Sequence, residues 1–261
     1  MRLDQYLVEN AHFPSRARAQ AAVLAGLVLI NGEAATKAGR SVRDDDTVTV
    51  RGSEHPWVSR GGVKLAHALE LWGISAEGRI CLDAGSSTGG FTDVLIRSGA
   101  ERVHAVDVGY GLIDWRLRQD PRVVLHERTN IRYVTAATLG EQVSLVTLDL
   151  AFIGLEKVFP AVASVLDRNW LAVLALVKPQ FQLGKGKVAR GGVVRDPALH
   201  LEALEMVREA GRERGWHAFG AIPSPIRGAA GNVEFWMGFG ATPGEAAPDL
   251  PSVVRQGEAV R

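Results

Sequence analysis

The sequence predicts an α/β protein: a Rossmann-like parallel sheet ending in an antiparallel hairpin, with a small α+β unit in front of it. Three observations predict this. From about residue 63, short apolar runs suited to strands alternate with helical stretches, the pattern of a parallel sheet covered on both faces. After the last helical stretch two strand-like runs follow with no helix between them, so they should pair antiparallel. Before residue 52, helical stretches precede a hairpin at Asn31-Gly32.

Each element has its own signal. Ser15 is an N-cap for a helix through Leu24, and Gly26 stops it. Leu27–Ile30 is a buried strand, and an acidic turn at Asp44-Asp45-Asp46 leads into the alternating strand Thr47–Val50. Residues 1–52 form this first unit. Residues 53–62, with Pro56, Gly61 and Gly62, read as a linker in which Trp57 must pack somewhere. In the second unit, residues 63–240, strands are expected at Ile80–Ala84, Val103–Asp107, Val123–His126, Leu145–Asp149 and Leu171–Val177. Helices are expected at Leu155–Leu166 and Leu199–Arg214, and the closing hairpin at Trp216–Pro223 and Val233–Phe239. Residues 241–261, rich in Pro, Ala and Glu, read as a mobile tail.

Composition narrows the function. Of 261 residues 46% are hydrophobic and 23% charged, which excludes a disordered chain or a small disulfide scaffold. A formal charge of +1 means that any basic surface is local. Cys81 alone allows neither an intrachain disulfide nor a thiolate metal cluster, so no metal is expected and a reducing, cytoplasmic setting is. The longest clean apolar run, Trp170–Val177, falls far short of the roughly 20 residues that span a bilayer. The N-terminal residues also lack the apolar stretch of a signal peptide.

The chemistry concentrates at strand ends. The run Ile80–Ala84 opens into Gly85-Ser86-Ser87-Thr88-Gly89-Gly90-Phe91, which differs from the dinucleotide pattern by its acid, Asp83. A carboxylate where a pyrophosphate would otherwise sit suits a ligand carrying an ammonium and a sulfonium, that is, S-adenosylmethionine. Gly85 and Gly89 would let the backbone approach it. Asp107, at the next strand end, is placed to accept ribose hydroxyls. The expected cofactor-binding set is Asp83, Gly85, Ser86, Thr88, Gly89, Gly90, Phe91 and Asp107.

Asp149 and Lys178 end the fourth and fifth strands, so they should reach the same crevice. Glu234 on the last hairpin strand and Lys64 after the paired glycines could join them. Taken singly, a lysine after a strand or a glutamate in a hairpin is an ordinary solvated residue. Together they suit removal of a proton from a poor nucleophile such as a ribose hydroxyl. A lysine acts as base only if its pKa, about 10.4 when free, is lowered by burial or a second cation. Lys64 is expected beside Lys178 for that purpose, with the two carboxylates compensating the charge. Transfer to an exocyclic amine or a pyrimidine carbon fits worse: Asp149-Leu150-Ala151-Phe152 is not an Asn/Asp-Pro-Pro run, and Cys81 reads as a core residue.

The order Lys64, Asp149, Lys178, Glu234 around the glycine loop resembles the Lys-Asp-Lys-Glu tetrad of the FtsJ-type ribose 2′-O-methyltransferases. Ser59-Arg60-Gly61-Gly62-Val63-Lys64-Leu65, Lys178-Pro179-Gln180-Phe181 and Gly191-Gly192-Val193-Val194-Arg195-Asp196 are similar to their haemolysin A-like (TlyA) branch. Ala151 departs from that branch, where a serine is more common. The resemblance implies S-adenosylmethionine-dependent methylation of ribosomal RNA with Lys178 as base, Lys64 and Glu234 positioning it, and Asp149 by the transferred methyl.

The first unit is similar to the S4-type RNA-binding domain, through Arg2-Leu3-Asp4, Ser15-Arg16-Ala17-Arg18-Ala19 and Gly26–Gly32. That likeness implies phosphate contacts from Arg2, Arg16 and Arg18. The basic stretch Gly184–Gly192, with Lys185, Lys187 and Arg190, is a further expected RNA contact. The partner implied is ribosomal RNA or a ribosomal subunit. Two rivals are weighed against this reading. One is a non-catalytic RNA-binding ribosome assembly factor, which retention of all four tetrad residues disfavours. The other is a membrane-lytic protein, for which no segment is long enough.

Overall fold

A computed structural model describes the chain apart from residues 11, 14, 25, 44, 51–54, 185, 189, 190, 245 and 261. It divides into two compact units, Met1–Pro56 and Trp57–Arg261. The boundary falls inside the expected 53–62 linker. Gly61 and Gly62 already belong to the second unit's first helix, and Trp57 is a partly buried member of its core.

In the first unit, α1 (Leu3–Glu9) and α2 (Arg16–Leu24) precede β1 (Val28–Ile30), β2 (Glu33–Ala34) and β3 (Val48–Val50). Ser15 accepts from the Arg18 N–H at 3.4 Å, as an N-cap should. Asn31 and Gly32 both take positive φ (54° and 84°), the backbone a two-residue hairpin requires. β1 lies between β2 and β3, antiparallel to both, over a core of Leu3, Leu7, Ala19, Val23, Val28 and Ile30.

The second unit opens with α3 (Gly61–Trp72), followed by β4 (Ile80–Ala84), α4 (Gly90–Arg97), β5 (Arg102–Val106), α5 (Trp115–Arg118) and β6 (Val123–His126). Next come α6 (Ala136–Leu139), β7 (Leu145–Leu148), α7 (Phe159–Val165), β8 (Ala172–Val177), α8 (Pro179–Gln182), α9 (Pro197–Arg212), β9 (His217–Pro223) and β10 (Phe235–Gly240). α10 (Leu250–Glu258) closes the chain. The expected helix 155–166 is a short 3-10 turn, Leu155–Lys157, and then α7; Pro160 stands at the start of α7, where its missing N–H costs nothing.

The seven strands run in the order β6-β5-β4-β7-β8-β10-β9. β4 to β8 are parallel, while β10 is antiparallel to both β8 and β9. The chain leaves β4 outward through β5 and β6, then returns to β4's other side with β7. That reversal opens a crevice at the carboxyl ends of β4 and β7, where open α/β sheets bind ligands. The register decides what else arrives there: Phe235 pairs with Val177, so the residue before β10 comes to the carboxyl end of β8.

One expectation fails. Residues 241–261 are not a mobile tail: α10 caps with Asp249 and buries Leu250, Val253 and Val254 in the main core. Those residues and Gly257 recur at helical spacing on one face, a signal that the Pro- and Ala-rich composition masked.

Candidate active site

The glycine loop leaves β4 at Ala84. Gly85 takes φ +86°, and a Cβ there would lie 2.3 Å from the Asp149 carbonyl oxygen, so only glycine lets the loop cross the end of β7. Beyond it a cavity of about 310 Å³ is lined by Ser59, Gly61, Lys64, Gly85, Ser86, Ser87, Thr88, Gly90, Phe91, Asp149, Lys178, Ala229 and Glu234, with Arg60. All four expected catalytic residues therefore face one cavity, together with Gly85, Ser86, Thr88, Gly90 and Phe91 of the cofactor set. Ser59, Arg60, Gly61, Ser87 and Ala229 are additions that the expected sets did not contain.

The four charges form two ion pairs. Lys64, near the start of α3, donates from Nζ to Oε2 of Glu234 at 2.5 Å, with both side chains buried. Lys178 forms an ion pair with Asp149. Both lysines line the one cavity, and each has its own carboxylate. Coulomb's law favours this, because two unshielded cations in a poorly hydrated pocket would repel strongly. Glu234 itself lies just before β10 and is 3% exposed, unlike an ordinary hairpin glutamate.

Three of the expected cofactor residues do not line the cavity. Asp83 is fully buried beneath it; Thr92 donates a hydroxyl to its carboxylate at 2.6 Å, and the Thr147 hydroxyl lies 3.5 Å away. Burial pushes its pKa up to about 7, and the nearby charge of Asp149 adds to that while the Thr92 hydrogen bond opposes it. In this arrangement Asp83 braces the glycine loop's flanks, where direct contact with a ligand was expected. Gly89 supports α4 from a left-handed conformation at its N-terminus. Asp107 ties the loop to β5, accepting from the Ser87 N–H at 2.8 Å and the Gly109 N–H at 2.7 Å. Its oxygens keep further lone pairs for a hydroxyl donor. Cys81 is buried in the core, its thiol pushed up to about 12 by burial, which suits no nucleophile.

An aromatic pair comes from the residues three beyond each member of the Asp149–Lys178 ion pair. Phe152 follows Asp149 in a left-handed conformation (φ 63°), is 89% exposed, and packs on Phe181 with ring centroids 4.8 Å apart. An exposed aromatic ring in a backbone region that costs it energy was missed; only its position after a strand end could have flagged it.

In the first unit, Asp4 is fully buried and paired with two arginines. Hydrogen bonds from Arg2, Gln20 and Arg16 hold its carboxyl well below the usual range. It thereby fixes Arg2 and Arg16, whose side chains remain about half exposed (52% and 55%). Arg18 follows on the same helix. Lys187 pairs with Glu202 on α9, and Lys185 and Arg190 lie outside the described residues. Among the described residues no group of His, Cys, Asp and Glu is arranged to hold a metal ion, and no helix is long and apolar enough to cross a membrane.

A seven-stranded sheet with one antiparallel strand inserted, a glycine loop after its first strand and a Lys-Asp-Lys-Glu cavity beside it define a methyltransferase class. In keeping with that, residues 57–241 match the FtsJ-like methyltransferase family and residues 1–48 the S4 domain. The chain belongs to the TlyA family within that class. It is 47% identical over 237 residues to the 16S/23S rRNA (cytidine-2′-O)-methyltransferase TlyA of Mycobacterium tuberculosis, covering 90% of this chain and 88% of that protein. It is 37% identical to Hemolysin A of Brachyspira hyodysenteriae, over 92% of this chain and 99% of that one. A solved structure from Streptococcus thermophilus that carries a hemolysin name superposes with a TM-score of 0.77 at 36% identity, covering 99% of this chain and 95% of that one.

Proposed function

We propose that this protein transfers the methyl group of S-adenosylmethionine to a ribose 2′-hydroxyl of ribosomal RNA. The observation that carries the reading is the convergence of Lys64, Asp149, Lys178 and Glu234 on one cavity beside the glycine loop. The cavity's volume, about 310 Å³, lies at the lower end of those that enclose small ligands, roughly 300–1,000 Å³. Gly85 and Gly90 bring backbone close to it, and Ser86 and Thr88 supply hydroxyls, a donor set that fits an amino-acid and nucleoside ligand. Asp107 would accept from the ribose hydroxyls, and Phe91 would wall the pocket on its apolar side. Bound there, S-adenosylmethionine supplies an electrophilic methyl carbon.

The chain's own residues then have defined tasks. The methyl group would pass to the 2′-oxygen as its bond to sulfur breaks and the donor leaves as a neutral thioether, and Nζ of Lys178, as base, would accept the 2′-hydroxyl proton. Asp149 holds that amine at the carboxyl end of the sheet. The Lys64–Glu234 pair lines the same cavity. The exposed Phe152, packed on Phe181, would offer a nucleobase an apolar face three residues beyond Asp149. In the first unit, Arg2 and Arg16 are held ready for phosphates by Asp4, and Arg18 would add a further cation from the first turn of α2.

The relatives' names concern 16S and 23S rRNA, and ribosomal subunits are the substrates to test. Incubating the protein with isolated subunits and labelled S-adenosylmethionine, then mapping 2′-O-methyl positions, should reveal label on a ribose. Binding of both subunit and cofactor without transfer would identify instead a non-catalytic assembly factor.

A further inference from the structure

We infer that Asn232 is a positioning residue for the Lys64–Glu234 pair, acting by riveting two backbone segments together behind Glu234. The inference rests on the assignment of that pair to methyl transfer.

Asn232 is 1% exposed, and both ends of its amide are used. Its Nδ2 donates to the Gly192 carbonyl at 2.8 Å, and its Oδ1 accepts from the Val194 N–H at 2.9 Å. The segment so held begins at the end of the basic glycine-rich stretch, where Gly191 and Gly192 take left-handed φ values of 103° and 73°. From its other side, His200 on α9 bonds the Val194 carbonyl at 3.0 Å, so this segment is fixed twice.

Two residues on, Glu234 reaches Lys64. Successive side chains along a strand leave opposite faces. The core shows that alternation: Val233, Phe235, Met237 and Phe239 enter the main core, while Trp236 enters the cluster containing Leu65 of α3. Glu234 thus reaches the α3 side, while the Asn232 amide holds Val194, a member of the main core, and so fixes the same backbone from the other side. The loop between them and β9 is cinched as well. The Ser224 N–H bonds the Glu234 carbonyl at 2.8 Å, and the Gly228 N–H bonds the Asn232 carbonyl at 2.9 Å. At Gly228 any Cβ would sit 2.4 Å from Oε1 of Glu234, so the loop closes directly over the carboxylate. Arg227 braces the same loop from Nε to the Val260 carbonyl at 2.9 Å and from Nη1 to the Gly231 carbonyl at 3.2 Å. Glu234 contributes the charge, and Asn232 decides where the backbone presents it.

The test is a double-mutant cycle in the full-length protein with ribosomal subunits. Asn232→Ala should lower kcat at least about tenfold while the KM for S-adenosylmethionine stays within about twofold, since no contact to that ligand is lost. In a Glu234→Gln background the same replacement should change kcat by less than about twofold, because its route of action is already cut. Asn232→Asp keeps the acceptor for Val194 and loses the donor to Gly192, so it should fall between wild type and Asn232→Ala. It carries the cycle if Asn232→Ala does not fold. A readout independent of turnover is the 15N NMR signal of the Lys64 ammonium, whose protons should exchange faster with water in either Asn232 variant. Unchanged kcat, additive losses in the cycle or an unaltered Lys64 signal would overturn the positioning role. A wild-type protein that transfers no methyl group, with the Lys64 signal still dependent on Asn232, would overturn the functional reading alone.

Discussion

Nζ of Lys64 and Oε2 of Glu234 stand 2.5 Å apart although 170 residues separate them in the chain. One comes from the helix that opens the second unit, the other from the entry to the strand inserted into its sheet. With side chains only 9% and 4% exposed, neither charge has water to fall back on.

That burial makes the pair fragile to half-removal. Glu234→Ala leaves a buried ammonium without its partner and should destabilise the fold by about 3–5 kcal/mol. Replacing both charges, Lys64→Met with Glu234→Leu, should recover most of that loss in urea denaturation while methyl transfer stays absent. A double variant as unstable as the single one would show that packing, and not the orphaned charge, sets the cost.

Lys178 carries the proton-transfer argument. Lys178→Ala should lower kcat by at least about a hundredfold, the usual scale for a lost general base, with S-adenosylmethionine affinity nearly intact by calorimetry. Lys178→Arg should fail equally, because a guanidinium does not release its proton in proteins. Near-normal activity in the arginine variant would reduce Lys178 to an electrostatic clamp and move the search for a base to Asp149.

Asp83 gives a pH signature. Its carboxyl titrates at about 7 in the folded chain, raised by burial, and near its ordinary value of about 3.9 when unfolded. Between those values the native state holds the extra proton, so this group's contribution to stability falls as pH rises from about 4 to about 7. Asp83→Asn should therefore melt higher than wild type above neutrality, the gap closing as pH drops. Parallel melting curves between pH 4.5 and 8.5 would contradict it.

Arg16 and Arg18 bear on RNA. Reversing both to glutamate should weaken ribosomal RNA binding and reduce the slope of log affinity against log salt by about 1–2, as two phosphate contacts would. Cofactor binding should not change. An RNA affinity that survives the double reversal would remove the first unit from the anchoring role.

The closing helix is structural. Ending the chain at Gly240 strips Leu250, Val253 and Val254 from the core, each worth about 1.5–3 kcal/mol of burial. The truncated protein should melt well below the full chain or fail to fold. An unchanged melting temperature would restore the reading of a mobile tail.

Much of the site was legible in the chain because parallel sheets place function at strand ends. Strand periodicity located Asp149 and Lys178, and the glycines after Ala84 located the loop. The S4-like unit was legible from its turn chemistry, Ser15 as cap and Asn31-Gly32 as hairpin. Where composition outvoted periodicity, as in residues 241–261, the reading failed, because the apolar residues of α10 find their partners in Val233 and Phe235 rather than in their own segment.

The sequence by itself determined which residue types stand at the ends of which elements, since period and capping are local properties. Tertiary structure alone decided which charges meet. β10 enters the sheet antiparallel between β8 and β9 with Phe235 opposite Val177, and that register carries Glu234 to Lys64 while leaving Lys178 to Asp149. It also decided that Asp83 lies sealed beneath Thr92 and Thr147 instead of reaching the cavity. Pairing and burial depend on distances between segments remote in sequence, and no local pattern encodes them.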